Sequence, residues 1–350
     1  MTHIESVREK LGADALLVTD EKTGFYLTGF FASDATVFIT AHSATLFTDS
    51  RYIEAAEKEV TTCTPKVPDP SLSEEIKKII AAEGIHTVAF EDQKMTVAEL
   101  NRLKAVYNTV EFVPAGDLIT LLCEHKTPEE MEAIRAAQAV GDAAFAEVLP
   151  LLRPEMTEIE VAAELEYRMK RHGATGPSFE TIAVSGTQSS RPHGVPRNVK
   201  LEKGFLTMDF GCILNGYCSD MTRTVCLGKA DSEMKKVYAT VLEAQLAGIE
   251  AVRAGVSGAS VDKVARDIIY GAGYKGYFGH SLGHGVGMYI HESPRLAPRY
   301  ERLLEIGHVV TVEPGIYLPG KYGVRIEDMM EITENGPVDI TGSPKNLIEI

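Results

Sequence analysis

The sequence predicts an α/β N-terminal domain followed by an α+β domain with an internal repeat, and three observations lead to this prediction. The chain has 350 residues, more than one hydrophobic core usually holds. Helix and strand patterns alternate over roughly the first 120 residues, as they do in α/β domains. Beyond them, residues 151–174 align without gaps on residues 251–274. We therefore expect two domains, the second built from two similar halves.

Composition and charge narrow the class of protein. Apolar residues make up 44% of the chain and charged residues 24%, as in soluble globular proteins. The formal charge of -15, with no basic patch, predicts no binding to nucleic acid or to anionic membranes. The start of the chain, MTHIESVREKLGADALLV, carries charges where a signal peptide needs an apolar core, and no apolar run reaches a membrane span. Five scattered cysteines and these features together favour the reducing cytoplasm.

The first domain is predicted element by element from periodicity and capping signals. Ser71-x-x-Glu74 and Thr96-x-x-Glu99 are capping boxes that begin two of its helices. The predicted elements, in chain order, are a helix at 2–11, strands at Ala15–Thr19, Phe25–Leu27, Ala35–Thr40 and Ala44–Thr48, a helix near 72–83, a strand at 86–92 and a helix near 97–107. The domain contains no cluster of catalytic residue types.

A third capping box begins the second domain. It is Thr127-Pro128-Glu129-Glu130, with proline at the first helical position, where its missing N–H does no harm. A long helix is expected from residue 128 to about residue 149.

The repeat in the second domain links two acidic residues. Arg153 aligns with Arg253 and Gly173 with Gly273, and LEKGFLTMD (201–209) resembles LEIGHVVTVE (304–313) with one inserted residue. Each half is then a set of helices that leads into a strand ending in an acid. Asp209 and Glu313 then occupy equivalent positions in the two halves, which indicates a site between the halves. The alternative to a true repeat is chance similarity between helix patterns.

Gly204–Val225 is predicted to form a two-stranded antiparallel hairpin. Asn215-Gly216, flanked by alternating bulky and polar residues, is the strongest short-range hairpin signal. With this pair as the turn, Leu214 faces Tyr217, and the register continues along both strands. Cys212 and Cys218 then point to opposite faces and cannot form a disulfide.

The same register brings two carboxylates together. Asp209 faces Thr222, and Asp209 and Asp220 lie on one face as diagonal neighbours, roughly 7–8 Å apart. Gly211 lies opposite Asp220 and leaves room for its carboxylate. Paired acids need a bound cation, a shared proton or a basic neighbour. Two solvated strand carboxylates are the alternative interpretation of the hairpin alone.

Two later stretches add further polar residues. His280, His284 and His291 lie among glycines that let a backbone approach a ligand closely, although lone histidines are often merely packed or solvated. The glycine spacing in this stretch does not make a dinucleotide-binding fingerprint. In VRIED (324–328), strand alternation predicts that Arg325 and Glu327 share a face, so that Arg325 orients or neutralises Glu327.

Taken together, these residues have the composition of a metal site rich in oxygen ligands. Four carboxylates with one imidazole suit Mn, Co, Fe or Zn as a reactive ion better than a structural zinc, which prefers thiolates. Four negative charges also match two divalent ions, which activate a shared water and polarise a carbonyl in metal-assisted hydrolysis. The five residues are Asp209, Asp220, His284, Glu313 and Glu327.

The motifs resemble a known family. DFG-x7-SDMTRT, GHGVG-x3-HE-x-P, TVEPGIY and VRIED follow the order and spacing of the metallopeptidase family that contains methionine aminopeptidase, aminopeptidase P and prolidase. The resemblance covers essentially the whole chain. It implies a creatinase-type N-terminal domain at 1–122, a linker at 123–127, and a metallopeptidase domain at 128–350 with the pita-bread fold and its pseudo-two-fold repeat.

The resemblance also implies roles for the site residues. Asp209 would chelate one metal ion, Asp220 and Glu327 would bridge the two ions, and His284 would complete the coordination of the second ion. Glu313 would bind metal and help to move a proton. His193 and His291 would contact the substrate and the oxyanion, His280 would line the pocket, and Arg325 would hold the bridging glutamate.

The family resemblance implies an Xaa-Pro peptide as substrate, and two members of the family differ in the peptide length that they accept. Prolidase cleaves only dipeptides, whereas aminopeptidase P accepts longer chains. Arg295 is a candidate clamp for the free carboxylate of a dipeptide, since arginine binds carboxylates through two parallel hydrogen bonds; a surface arginine is the alternative. The other interpretations are a catalytically silent pita-bread binding protein and a metal-free hydrolase of the creatinase type. Manganese as the metal and a homodimer are further implications of the resemblance.

Overall fold

The computed structural model describes all 350 residues, which form two compact units, Met1–Cys123 and Glu124–Ile350. The first unit contains a six-stranded mixed sheet in the order β4-β3-β2-β1-β5-β6. Its strands are β1 (Ala15–Val18), β2 (Thr36–Thr40), β3 (Ala44–Phe47), β4 (Thr64–Lys66), β5 (Thr87–Phe90) and β6 (Glu111–Pro114). Its helices are α1 (His3–Lys10), α2 (Glu21–Thr28), α3 (Ile53–Glu59), α4 (Leu72–Glu83), α5 (Val97–Val106) and α6 (Leu118–Glu124), the last of which ends at the first residue of the second unit.

Local capping accounts for the helix boundaries that the sequence predicted. The complete capping box at Thr96 and Glu99 begins α5. At α4 the box is only half formed: Ser71 accepts a hydrogen bond from the Glu74 N–H, but the Glu74 carboxylate accepts one from Lys77 instead of returning to the cap.

The predicted strand at Phe25–Leu27 is wrong, because these residues lie in helix α2. Asp20 caps this helix by accepting a hydrogen bond from the Thr23 N–H, and Gly29 ends it with φ of 72°, a left-handed conformation that favours glycine. The short Phe-Tyr-Leu run has the composition of a strand, and the two cap residues outweigh it.

The second unit contains the longer helices and four small sheets. Its helices are α7 (Pro128–Val148), α8 (Glu158–Arg171), α9 (Ser232–Ala251) and α10 (Gly258–Ile269). The strands of its first half are β7 (Gly176–Pro177), β8 (Ile182–Ser185), β9 (Gly204–Phe210), β10 (Cys212–Leu214), β11 (Tyr217–Cys218) and β12 (Met221–Leu227). The remaining strands are β13 (Gly283–Gly285), β14 (Glu292–Leu296), β15 (Val309–Val312), β16 (Gly315–Leu318), β17 (Tyr322–Arg325), β18 (Asp328–Thr333) and β19 (Gly336–Asp339).

The internal repeat is present in the structure down to individual hydrogen bonds. Helices α8 and α10 begin at residues 158 and 258, one residue after the caps Thr157 and Ser257. The Leu201 N–H donates to the Met156 carbonyl at 2.8 Å, and the equivalent Leu304 N–H donates to the Val256 carbonyl at 2.8 Å. The similarity between the halves is therefore structural and does not arise by chance from helix patterns.

Each half places its acidic strand in the middle of a sheet. Strand β9 lies between β8 and β12, and β15 lies between β13 and β18. Along β9, Leu206, Met208 and Phe210 pack into the same apolar core as residues of α7 and α8. Asp209 alternates with these core residues and therefore faces away from that core.

No helix in the structure combines the length and the apolar character that crossing a membrane would require. No disulfide joins the five cysteines, and the Cys212 and Cys218 sulfurs contact different carbonyls, those of Ala137 and Met288.

Candidate metal centre

The ten residues that the sequence analysis singled out line one cavity of about 490 Å³ in the second unit. The hairpin, the histidine-rich stretch, the end of β15 and the segment between β17 and β18 each contribute to its wall. These residues are His193, Asp209, Asp220, His280, His284, His291, Arg295, Glu313, Arg325 and Glu327.

The hairpin has the predicted register. Leu214 pairs with Tyr217, and Thr222 pairs with Asp209. Asn215 and Gly216 both have positive φ, 51° and 83°, as the turn requires.

The predicted reason for glycine at position 211 is wrong. A Cβ there would lie 1.8 Å from the backbone oxygen of Ser219 and 2.5 Å from the hydroxyl of Ser178. Gly211 therefore makes room for the turn of the chain before Asp220, not for the Asp220 carboxylate.

His284 brings the acids of the two halves together. Its Nε2 lies 3.5 Å from Asp220 Oδ2 and 3.6 Å from Glu313 Oε1. Its Nδ1 lies 3.0 Å from the Gly285 carbonyl, which only accepts hydrogen bonds, so Nδ1 carries the proton. Burial lowers the pKa of His284 to about 4. At neutral pH the unprotonated Nε2 therefore points a lone pair at two carboxylates.

The carboxylates are crowded and buried. Burial, together with the charges of Asp209 and Glu313, raises the pKa of Asp220 well above its usual range. Burial and the neighbouring acids, Asp220 first among them, do the same to the pKa of Glu327. Burial raises the pKa of Glu313 to about 8. Each of these shifts means that the charged carboxylate is costly in the protein alone.

The arrangement fits a bound divalent cation. One ligand atom each from Asp220, His284 and Glu327 lies within 4.8 Å of the others. Asp209 Oδ1 is buried without a hydrogen-bond partner. The nitrogen lone pair and the carboxylate oxygens repel one another unless a cation or a proton lies between them, and this donor set suits Mn, Co, Fe or Zn.

Arg325 contacts Asp209 directly and reaches Glu327, which it was expected to hold, through the Thr222 hydroxyl. Its Nη2 donates to Asp209 Oδ2 at 2.5 Å. Its Nε donates to the Thr222 hydroxyl at 2.9 Å, and this hydroxyl donates to Glu327 Oε2 at 2.7 Å. The expectation assumed one continuous strand through VRIED, whereas β17 ends at Arg325 and β18 begins at Asp328 in another sheet.

Sequence reasoning did not single out Tyr317, which lies in TVEPGIY four residues after Glu313. Arg325 Nη1 donates to the Tyr317 oxygen at 2.8 Å, and the Tyr317 hydroxyl lies 2.9 Å from His280 Nε2. His280 Nδ1 lies 2.8 Å from the Ser281 carbonyl, so Nδ1 is the donor there and Nε2 accepts from Tyr317. Burial raises the pKa of Tyr317 to about 12 and lowers that of His280 to about 4.

Three of the predicted residues form the exposed rim of the cavity, namely His193, His291 and Arg295. The His291 ring packs edge-on against His284, with the centroids 4.5 Å apart. Burial, and then the charge of Arg295, lower the pKa of His291. Arg295 pairs with His284 across β13 and β14.

Comparison with known proteins identifies the family. Residues 132–334 match metallopeptidase family M24, and residues 3–122 match the creatinase/prolidase N-terminal domain. The chain belongs to metallopeptidase family M24. This membership confirms the pita-bread fold and makes the protein a metallopeptidase, so the buried acids and His284 lie in the catalytic domain of a metal-dependent enzyme.

Relatives of this M24 chain match it over nearly its whole length. An uncharacterized peptidase of Bacillus subtilis (strain 168) is 42% identical over 97% of this chain and 96% of its own. The structure is similar to an Xaa-Pro dipeptidase from Bacillus anthracis, with a TM-score of 0.94, 40% identity, and coverage of 99% of this chain and 98% of that one. It is also similar to an X-Pro aminopeptidase from Thermotoga maritima MSB8, with the same TM-score of 0.94, 35% identity, and coverage of 99% of this chain and 100% of that one.

Proposed function

We propose that the protein hydrolyses the peptide bond between an N-terminal residue and proline, with two divalent metal ions held in the cavity. The observation that carries this proposal is the position of His284 Nε2, 3.5 Å from Asp220 Oδ2 and 3.6 Å from Glu313 Oε1 among other acids. The proposed ligands are Asp209, Asp220, His284, Glu313 and Glu327.

Two bound divalent ions would supply an activated water and polarise the scissile carbonyl. Asp209, Asp220, His284, Glu313 and Glu327 would hold these ions. Glu313 would in addition carry a proton to the leaving amine.

The cavity's other polar side chains are proposed to bind and orient the substrate. His193 and His291 lie at the exposed rim, where they donate to the carbonyl oxygen as it gains charge. Arg325, held by Tyr317, fixes the carboxylate of Asp209 through its direct hydrogen bond. His280 lines the wall, with its acceptor nitrogen occupied by Tyr317.

Proline as the second residue of the substrate is supported by the names of the relatives and by chemistry. The bond before proline is a tertiary amide without an N–H, so subsites that rely on that donor fit it poorly. The two compared structures, named as an Xaa-Pro dipeptidase and an X-Pro aminopeptidase, have the same TM-score against this chain. Peptide length is thus the property to measure first.

The decisive experiment compares an Xaa-Pro dipeptide with an Xaa-Pro-Yaa tripeptide on one preparation, after chelation and then with Mn or Co restored. We expect cleavage only with metal. Cleavage of the dipeptide alone identifies a prolidase, and cleavage of both identifies an enzyme like aminopeptidase P. Cleavage that chelators leave unchanged would favour a metal-free hydrolase of the creatinase type. No cleavage of either peptide with metal restored would favour a silent binding protein.

Arg295 is proposed to bind the free carboxylate of a dipeptide. It lies at the exposed rim and pairs with the His284 position across β13 and β14, which puts a cation beside the metal centre. We expect Arg295→Ala to raise the Michaelis constant for the dipeptide about tenfold or more, the loss expected for a charge-assisted hydrogen bond. A tripeptide amide is the control, because it has no carboxylate at that position. An unchanged dipeptide Michaelis constant would contradict the role.

We further propose manganese as the native metal, a homodimer as the assembly and the cytoplasm as the location. The domain division proposed with them is 1–122, a linker at 123–127, and 128–350. Metal analysis of protein made without added metal tests the first of these, and light scattering tests the second.

A further inference from the structure

The motif SDMTRT places Asp220, just before β12, and two threonines of β12 on the face that carries the metal centre. Asp220, Thr222 and Thr224 alternate with residues that face elsewhere, so their side chains share this face. Asp220 is a proposed ligand, and the Thr224 hydroxyl donates to the Arg325 carbonyl at 2.9 Å. Thr222 lies between them and is fully buried. The proposed function assigns it no role.

While Glu327 is ionised, as a metal ligand must be, the hydrogen bonds of Thr222 have only one possible direction. Arginine donates and never accepts, so the Thr222 oxygen must accept from Arg325 Nε at 2.9 Å. The single hydroxyl proton then points to Glu327 Oε2 at 2.7 Å. One oxygen of Glu327 is therefore occupied by a donor whose own orientation is fixed by the guanidinium.

From this geometry we infer that Thr222 is a positioning residue that transmits the orientation of Arg325 to Glu327. This inference rests on the proposed metal-binding role of Glu327. Arg325 reaches Asp209 by a direct hydrogen bond and Glu327 through Thr222, so one guanidinium orients a carboxylate from each half of the repeat. Without the hydroxyl, Arg325 Nε and Glu327 Oε2 lose their shared partner in a place that water reaches poorly.

The consequence is a pre-oriented ligand. A carboxylate held by a hydrogen bond at one oxygen loses little rotational freedom when metal binds, whereas a free carboxylate among other acids rotates away from them. Partners that orient metal ligands in this way typically contribute about 10–100-fold to metal affinity or activity.

The test measures metal affinity rather than turnover. Metal-free wild type, Thr222→Val and Thr222→Ser are titrated with Mn by calorimetry. We expect Thr222→Val, which keeps the shape of the side chain, to bind Mn about 10–100-fold more weakly at one or both sites. Thr222→Ser retains the hydroxyl and should bind as wild type does.

Thr207→Val is the matched control. Thr207 is also a buried threonine of the same strand pair, and its hydroxyl lies 3.1 Å from that of Thr224 without contacting any proposed ligand. The Thr207→Val variant should be less stable than wild type but should bind Mn with the same affinity. Wild-type Mn affinity in a folded Thr222→Val variant would overturn the inference.

The same titration separates this inference from the proposed function. Wild type that binds no Mn would overturn the proposed function and with it the role of Thr222. Wild type that binds two ions, together with an unaffected Thr222→Val, overturns the positioning role alone. If Thr222→Val does not fold, Thr222→Ala and Thr222→Ser still differ by one hydroxyl, and equal Mn affinity of these two variants would overturn the inference.

Discussion

Glu327 and Asp328 are neighbours in the chain and both are buried, yet they lie in opposite electrostatic environments. Asp328 accepts hydrogen bonds from Arg223 at 2.7 Å and Gln245 at 2.5 Å and lies 2.7 Å from the Lys345 ammonium. The protein itself thus neutralises this carboxylate.

Glu327 is surrounded mainly by other acids instead of by cations. The Thr222 hydroxyl is its hydrogen-bond donor, and the charges that raise its pKa after burial itself are those of Asp220, Glu313 and Asp209. A buried acid paired with a cation of the protein supports the fold, whereas the charged form of a buried acid among other acids is costly until a cation from solution binds.

Glu327→Gln is the substitution that tests the metal side of this comparison with the largest expected effect. We expect metal-dependent hydrolysis to fall on the order of a thousandfold or more, because even one catalytic electrostatic group is worth ~10²–10³-fold. The metal-free variant should unfold at an equal or higher denaturant concentration than metal-free wild type, since one repelling charge is gone. Retained activity with Mn would contradict the assignment of Glu327 as a ligand.

Asp328→Asn tests the structural side. The substitution leaves Arg223, which is 1% exposed, without its charged partner. Breaking a buried ion pair in this way costs about 3–5 kcal/mol in the free energy of unfolding, measurable by denaturant titration of the metal-free protein. Asp339→Asn is the control: this acid also pairs with Lys345 but is 27% exposed, so a much smaller loss is expected. Equal losses of unfolding free energy in the two variants would contradict the structural role of Asp328.

The smallest expected effect is the pH dependence of the stability of the metal-free protein. Carboxylates with raised pKa values stabilise the fold while protonated, and this contribution is lost as pH rises through the raised pKa, about 8 for Glu313. His280 and His284, with pKa values lowered to about 4, act with the opposite sign, but their contribution is complete above about pH 6.5.

Between pH 6.5 and pH 8 the free energy of unfolding of the metal-free protein should therefore fall, by about 1.4 kcal/mol per pH unit for each extra proton held by the folded state. Denaturant titrations at several pH values check this slope. Mn should remove it, because the bound cation favours the charged carboxylates. Stability that rises with pH in this range, without metal, would show that the acids are neutralised by the protein.

Local signals explain why part of the site was predictable. Asn215 and Gly216 set the hairpin register through their positive φ, and strand alternation then placed Asp209 and Asp220 on one face. The same period of two contained the signal for Thr222, which shares the face of Asp220. Such features depend on residues close in the chain, so they are readable without a structure.

The partners of Arg325 and of Asp328 were decided by the tertiary structure. The break between β17 and β18 directs Arg325 to Asp209, and no local pattern marks that break. Asp328 accepts a hydrogen bond from Gln245, 83 residues before it, and is neutralised by Arg223, 105 residues before it.

The sequence by itself therefore determined the two-domain α/β and pita-bread fold, the hairpin register, the repeat and the set of acids with His284. The tertiary structure decided which acid is neutralised by the protein's own cations and which lies among other acids. The physical reason is range: turns, caps and strand alternation act within a few residues, whereas the charge state of a buried carboxylate depends on every side chain that folding brings within several ångströms.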